Sequence, residues 1–193
     1  MKNKKAVILI AFALSALFMF TACTTAAVPV AQPTAENSGA SPTGTQEADP
    51  SSFSGDAYNF TLTDTDGNVH KLEDYLGKKV YLKFWATWCP SCLEGLAELD
   101  MLPALAEEND IVVLTIVAPG YSGEKSSEKF VEWFNGRELG FTVLLDEGGN
   151  SFYEYGIRAV PSSYFIDTRG NLVETKLGHV PNEQIIEIFN GVR

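Results

Sequence analysis

The stretch KVYLKFWATWCPSCLEGL, residues 79–96, runs from a block of apolar side chains straight into two closely spaced cysteines. Residues 79–85 are β-prone and almost wholly apolar. A run of this kind, apolar without alternation, predicts a central strand covered on both faces. After Cys89 the period changes. Leu93, Leu96, Leu99 and Leu102 recur every three residues, one stripe of a helix over 89–102. Pro103 is expected to kink or divide that helix. Cys89 and Cys92 therefore stand where a buried strand turns into a helix.

That position has chemical consequences. Pro90 suits the first position of a helix, where a missing N–H leaves nothing unsatisfied. A helix N-terminus carries unpaired N–H groups and partial positive charge. Both stabilise a thiolate, the reactive form of cysteine. Cys92 follows one turn later on the same face, so the pair can close a disulfide and open it again. Cys89 is then the nucleophile that attacks a foreign disulfide, and Cys92 resolves the mixed intermediate. A purely structural disulfide would gain little, because stabilisation grows with the size of the loop closed. A zinc site needs about four ligands, and the chain offers only His70, His179 and three cysteines, with no second CxxC. Redox exchange is the reading these residues favour.

Outward from this stretch, alternation over 58–63, a turn at Asp66-Gly67-Asn68 and a return over 69–72 predict an N-terminal hairpin. Residues 111–117 (IVVLTIV) read as a second buried strand. Residues 124–139 read as a helix with Phe130, Trp133 and Phe134 inward, 141–145 as a short strand and 150–155 as a short helix. Segments 162–167 and 171–177 flank Thr168-Arg169-Gly170 as an antiparallel hairpin, and 182–189 forms a last helix. Strands alternating with helices give an α/β fold. The closing hairpin makes the central sheet mixed.

The first fifty residues differ in kind. Lys2, Lys4 and Lys5 precede an apolar run over 6–20, shorter than the roughly 20 residues that span a bilayer. This reads as a signal peptide over 1–22. Phe20-Thr21-Ala22-Cys23 resembles a bacterial lipobox, with Phe20 where leucine is usual. The resemblance implies cleavage before Cys23 and lipid attachment to its sulfur. Residues 24–52, rich in Thr, Ala, Ser, Pro and Gly, predict a disordered tether. Residues 23–52 then hold lipidated cysteine and tether, and 53–193 the folded domain. That arrangement puts the domain on the extracytoplasmic side of a bacterial cell membrane, where disulfides persist. The net charge of −11 argues against a nucleic-acid partner, which needs a basic patch. It also gives no attraction to anionic lipid, so acyl chains must do the anchoring.

The segments FWATWCPSC (84–92), YGIRAVPSSYFID (155–167) and GNLV (170–173) resemble the thioredoxin superfamily, in particular its exported TlpA/ResA-like thiol-disulfide oxidoreductases. Within that group, CPSCLEGL (89–96) and VAPGYSGEK (117–125) are similar to the thioredoxin-like domains that serve secreted methionine sulfoxide reductases. The resemblance implies a thioredoxin-like fold over about 53–193, with no metal and no cofactor beyond the Cys89–Cys92 disulfide. It implies that Pro161 is a cis-proline facing the cysteines and that Val160 offers its backbone to an extended substrate segment. It also implies that Trp88, with Pro90, forms an exposed docking surface, while Trp85 and Trp133 belong to the core. Lys83 stands six residues before Cys89, where thioredoxins carry a buried aspartate. A charged lysine there would favour the thiolate; the alternative is a packed stem with its ammonium at the rim. Many TlpA-like proteins carry a glutamate three residues after the second cysteine, a position held here by Gly95. Glu94 is one residue early, and one residue turns a helical side chain by about 100°. Glu94 is therefore expected to be solvated, since the family role does not simply transfer, with thiol tuning the alternative.

The resemblance implies a reductant recharged by a membrane thiol-electron carrier. An exported methionine sulfoxide reductase is the favoured client, and an apocytochrome c in cytochrome c maturation the alternative. A reading of another class is a lipid-tethered binding module whose CxxC is not catalytic. A thiol peroxidase needs an arginine at the reacting sulfur, and none is close to Cys89 in sequence.

Overall fold

The structure, a computed structural model, describes residues 55–192. The expected signal peptide, lipidation at Cys23 and tether, residues 1–52, lie outside the described residues.

A seven-stranded mixed sheet forms the centre, in the order β2-β1-β5-β4-β3-β6-β7. Its strands are β1 (Thr61–Asp64), β2 (Val69–Lys71), β3 (Lys79–Phe84), β4 (Ile111–Val117), β5 (Thr142–Leu145), β6 (Ser162–Ile166) and β7 (Leu172–Leu177). β3 and β4 pair in parallel, as do β4 and β5; the remaining pairings are antiparallel. The helices are α1 (Pro90–Glu94), α2 (Leu96–Glu107), α3 (Ser127–Asn135), α4 (Asn150–Glu154) and α5 (Asn182–Gly191). The fold is thioredoxin-like, as the sequence motifs imply.

β3 and β4 are buried on both faces, and their side chains divide by alternation. Tyr81, Val113 and Val117 face a core built with Leu96, Leu99 and Leu102 of α2, Phe130 and Phe134 of α3 and Ile185 and Phe189 of α5. Val80, Leu82, Phe84, Leu114 and Ile116 face a second core with Phe60, Leu72 and Phe152 of α4. The N-terminal hairpin forms in register Thr61↔Lys71, and β1 also joins the main sheet through Thr63↔Leu145. Residues 58–60, expected in the strand, precede it.

Three expectations are corrected. The helix expected over 89–102 is interrupted at Gly95, not at Pro103, which sits inside α2. Gly95 makes the room for this: a Cβ there would lie 2.7 Å from Nδ1 of His179. The helix expected over 124–139 begins only at Ser127, because residues 122–125 form a turn with left-handed backbone at Ser122 (φ 48°) and Gly123 (φ 86°). Trp133 is only partly buried, with the Arg137 guanidinium 3.5 Å above its ring centroid, whereas Trp85 is fully enclosed.

Candidate active site

β3 runs out at Phe84, and the backbone of Trp85 stays in the sheet by donating to Ile116 O at 3.1 Å. The Trp85 indole N–H finds Thr115 Oγ1 at 3.1 Å, which anchors the strand end inside the core. Cys89 then caps α1, with extended backbone (φ −91°, ψ 110°) and Pro90 at the first helical position. Its Sγ accepts from the N–H of Cys92 at 3.2 Å and lies 3.4 Å from Ser91 Oγ. The donor pattern is the one that stabilises a thiolate. Cys89 and Cys92 are joined in a disulfide, their Cα atoms 5.2 Å apart. Cys89 keeps 4 % of its surface exposed and Cys92 1 %, while Pro90 and Ser91 between them are exposed. An incoming group meets Cys89 first.

The strand register decides what faces the disulfide. β6 pairs with β3 as Phe84↔Ser162, so the residues just before β6 lie beside the segment leaving β3. The Val160–Pro161 peptide there is cis. Cys89 Sγ is 3.5 Å from Val160 O. The backbone N–H groups of Arg158, Ala159 and Val160 make no hydrogen bond among the described residues. Trp88 is 52 % exposed beside this segment. Trp88, Pro90, Val160 and Pro161 are thus brought to one place.

Lys83 and Glu94 part company. Glu94 is exposed on α1. Lys83 packs its stem on the same sheet face as Tyr81, with 3 % of the residue exposed. Burial pushes its pKa down to about 8, and the negative charge of Glu98 opposes the shift. Glu98, one turn beyond Gly95, is a residue the sequence reading missed. Its carboxylate accepts from the Asn182 N–H at 2.9 Å and from His179 Nε2 at 2.7 Å. These bonds, led by the one from Asn182, hold the Glu98 carboxyl below the usual range. His179 is held close by Gly178, whose N–H donates to Pro161 O at 2.8 Å.

A second missed group supports the segment from the other side. Glu124 is buried and accepts from Thr87 N and Thr87 Oγ1, both at 2.5 Å, and from Lys125 N at 2.7 Å. Lys125 Nζ donates to Thr87 Oγ1 and lies 3.9 Å from Glu124 Oε1. The turn at 118–125 is thereby fastened to the residue two positions before Cys89. Glu124 lies within the quoted VAPGYSGEK segment, but nothing local in that segment marks a carboxylate that folds inward.

Among the described residues no cluster of His, Cys, Asp or Glu is arranged to hold a metal, and no arginine hydrogen-bonds Cys89, the contact a peroxidatic cysteine needs. What the site can do is exchange thiols and disulfides.

Comparison with known proteins agrees. Residues 54–175 match the model of the AhpC/TSA family. The chain is 30% identical over 137 residues to the thiol-disulfide oxidoreductase ResA of Bacillus thuringiensis subsp. konkukian, covering 71% of this chain and 76% of that one. The exposed lipoprotein thioredoxin Etrx1 of Streptococcus pneumoniae superposes with a TM-score of 0.65 at 40% identity, covering 70% of this chain and all of that one. The N-terminal domain of PilB from Neisseria gonorrhoeae superposes with a TM-score of 0.61 at 26% identity, covering 67% and 86%.

Proposed function

This chain belongs to the thioredoxin-like AhpC/TSA family and is a thiol-disulfide oxidoreductase of the ResA kind, and from that premise we propose that it is a lipid-anchored reductase of exported client proteins. The observation that carries the reading is the apposition of the Cys89 sulfur to the free backbone edge at Val160. A client disulfide laid along that edge meets the sulfur that caps α1.

The exchange balances in two steps. The Cys89 thiolate attacks one client sulfur; a mixed disulfide forms and the other client sulfur leaves as a thiolate that takes a proton. Cys92, losing its proton, then attacks Cys89 Sγ; the mixed bond breaks and the second client sulfur leaves and is protonated. Two electrons and two protons pass to the client, and the Cys89–Cys92 disulfide remains. A dithiol on a membrane thiol carrier returns the pair of electrons by the reverse sequence. Trp88, Pro90, Val160 and Pro161 hold the client segment, and Lys83 tunes the thiols. Glu94, exposed on α1, takes no part.

The anchor is Cys23, and residues 24–52 are the tether. The similarity to an exposed lipoprotein thioredoxin and the lipobox-like sequence support this placement. Cys23→Ala should move the protein from the membrane fraction to the soluble extracytoplasmic fraction. The favoured client is an exported methionine sulfoxide reductase.

Trapping tests the whole reading. A Cys92→Ser variant should stall as a mixed disulfide through Cys89, and mass spectrometry should identify a methionine sulfoxide reductase. Capture of an apocytochrome c would replace that client by the alternative one. If nothing is captured, and Cys89→Ser/Cys92→Ser leaves the cell's phenotype unchanged, the domain is a binding module. Equilibration with glutathione buffers should place the potential below about −220 mV, in the reducing range. A value near about −120 mV, that of a strong oxidant, would reverse the assigned direction.

A further inference from the structure

We propose that Arg158 makes this reductase selective for client segments bearing an acidic residue two positions from the reacting cysteine. The proposal rests on the reductase reading and names the class of segment that it takes.

A small cavity of about 100 Å³ opens beside the disulfide. Trp88, Tyr121 and Phe152 line it together with the segment from Ile157 to Val160. Tyr121 is fixed: its ring packs edge-on to Phe152 and lies so close over Gly149 that a Cβ there would come within 2.8 Å. The unpaired N–H groups of residues 158–160 are an edge to which an extended segment can add by backbone hydrogen bonds. Arg158, Ala159 and Val160 all line the cavity, so a segment docked there meets the guanidinium and the Val160 backbone together.

Charge supplies the selectivity. The chain has 25 acidic and 14 basic residues, yet the charged residue lining this cavity is an arginine. Arg158 is exposed and forms no ion pair among the described residues. Lys125, which donates to Thr87 two residues before Cys89, already lies against Glu124. A client cysteine whose sulfur meets Cys89 sits opposite Val160. The client residue opposite Arg158 is then the second from that cysteine, and a carboxylate there completes a bidentate pair with the guanidinium.

The test uses the full chain in its reduced form and three synthetic peptide disulfides. They are identical except for Asp, Asn or Lys at the second position on each side of the cysteine. At low salt the Asp peptide should be reduced about threefold faster than the Asn peptide, the range of an exposed ion pair, and the Lys peptide slower than both. At 1 M salt, where the screening length falls to about 3 Å, the three rates should converge. Arg158→Glu should invert the order. Lys78→Glu, an equal charge change at an exposed site at the far end of β3, should keep it. Equal rates in the wild type, or an unchanged order in Arg158→Glu, would overturn the proposal. Failure to reduce any of the three peptides would instead overturn the reductase reading beneath it.

Discussion

The sulfur of Cys89 lies 3.5 Å from the carbonyl oxygen of Val160, 71 residues away in the chain. The contact joins the end of a parallel strand to the start of an antiparallel one. It places the reactive sulfur against backbone that has no partner of its own, and it gives the two cysteines unequal access.

The first prediction follows from that inequality. In the reduced protein, iodoacetamide should alkylate Cys89 and leave Cys92 largely unmodified, because Cys92 is the more deeply enclosed of the two. Peptide mapping after a brief pulse checks this. Cys89→Ser should reduce client reduction to background, and equal labelling of both thiols would contradict the assignment of roles.

Lys83 should leave a mark on stability against pH. Its folded pKa is lowered to about 8 from 10.5, so between those values the unfolded chain binds more protons than the folded one. Stability should therefore rise from about pH 8 towards pH 10.5, and be flat on either side as far as this group is concerned. A depression of that size corresponds to about 3 kcal/mol at pH 7, an upper bound for the gain expected from Lys83→Met. Urea melts of both proteins at pH 7 and pH 10 measure it; the rise should vanish in the variant. On the proposed tuning role, the reduced variant should also show a higher Cys89 thiol pKa.

The Gly95–His179 contact predicts a double-mutant result. Gly95 lies between α1 and α2 with right-handed helical backbone (φ −86°, ψ 0°), which alanine adopts without strain. At Gly95 the added Cβ would meet the His179 ring at 2.7 Å, and overpacking of this kind costs about 1–3 kcal/mol. Gly95→Ala should therefore destabilise, and in a His179→Ala background that cost should largely vanish. The two shifts in denaturant midpoint are the measurement.

Glu124→Gln should weaken the support of the active-site segment. The carboxylate accepts from three donors on Thr87 and Lys125, and an amide turns one donor–acceptor contact into donor against donor. A loss of about 2 kcal/mol is expected. The rate of client reduction should fall as well, because Thr87 lies two residues before Cys89. Destabilisation with an unaltered rate would make Glu124 purely structural.

Much of this molecule was legible in its sequence where the causes are local. The apolar block at 79–85, the leucine stripe beyond it and Pro90 foretold a strand–helix junction, and the structure has it. Where the reading slipped, a distant residue was responsible. Pro103 has every local reason to break a helix, but the interruption falls at Gly95, where His179 needs space. Glu124 reads as a helix start, but its carboxylate folds inward to Thr87, 37 residues back. Nothing around Lys83 in the sequence marks Glu98 as the charge that opposes the cost of its burial.

By itself the sequence determined that two thiols one helical turn apart, at the N-terminal end of a helix, would be a redox pair. That is a matter of spacing within a few residues, where bond geometry leaves little freedom. Only the tertiary structure decided what else surrounds the pair: Arg158 and Tyr121 at the cavity, Glu124 behind Thr87, and His179 against Gly95. Those neighbours come from sheet order and strand register, which are settled by how both faces of the sheet are filled, and no short window of residues contains that information.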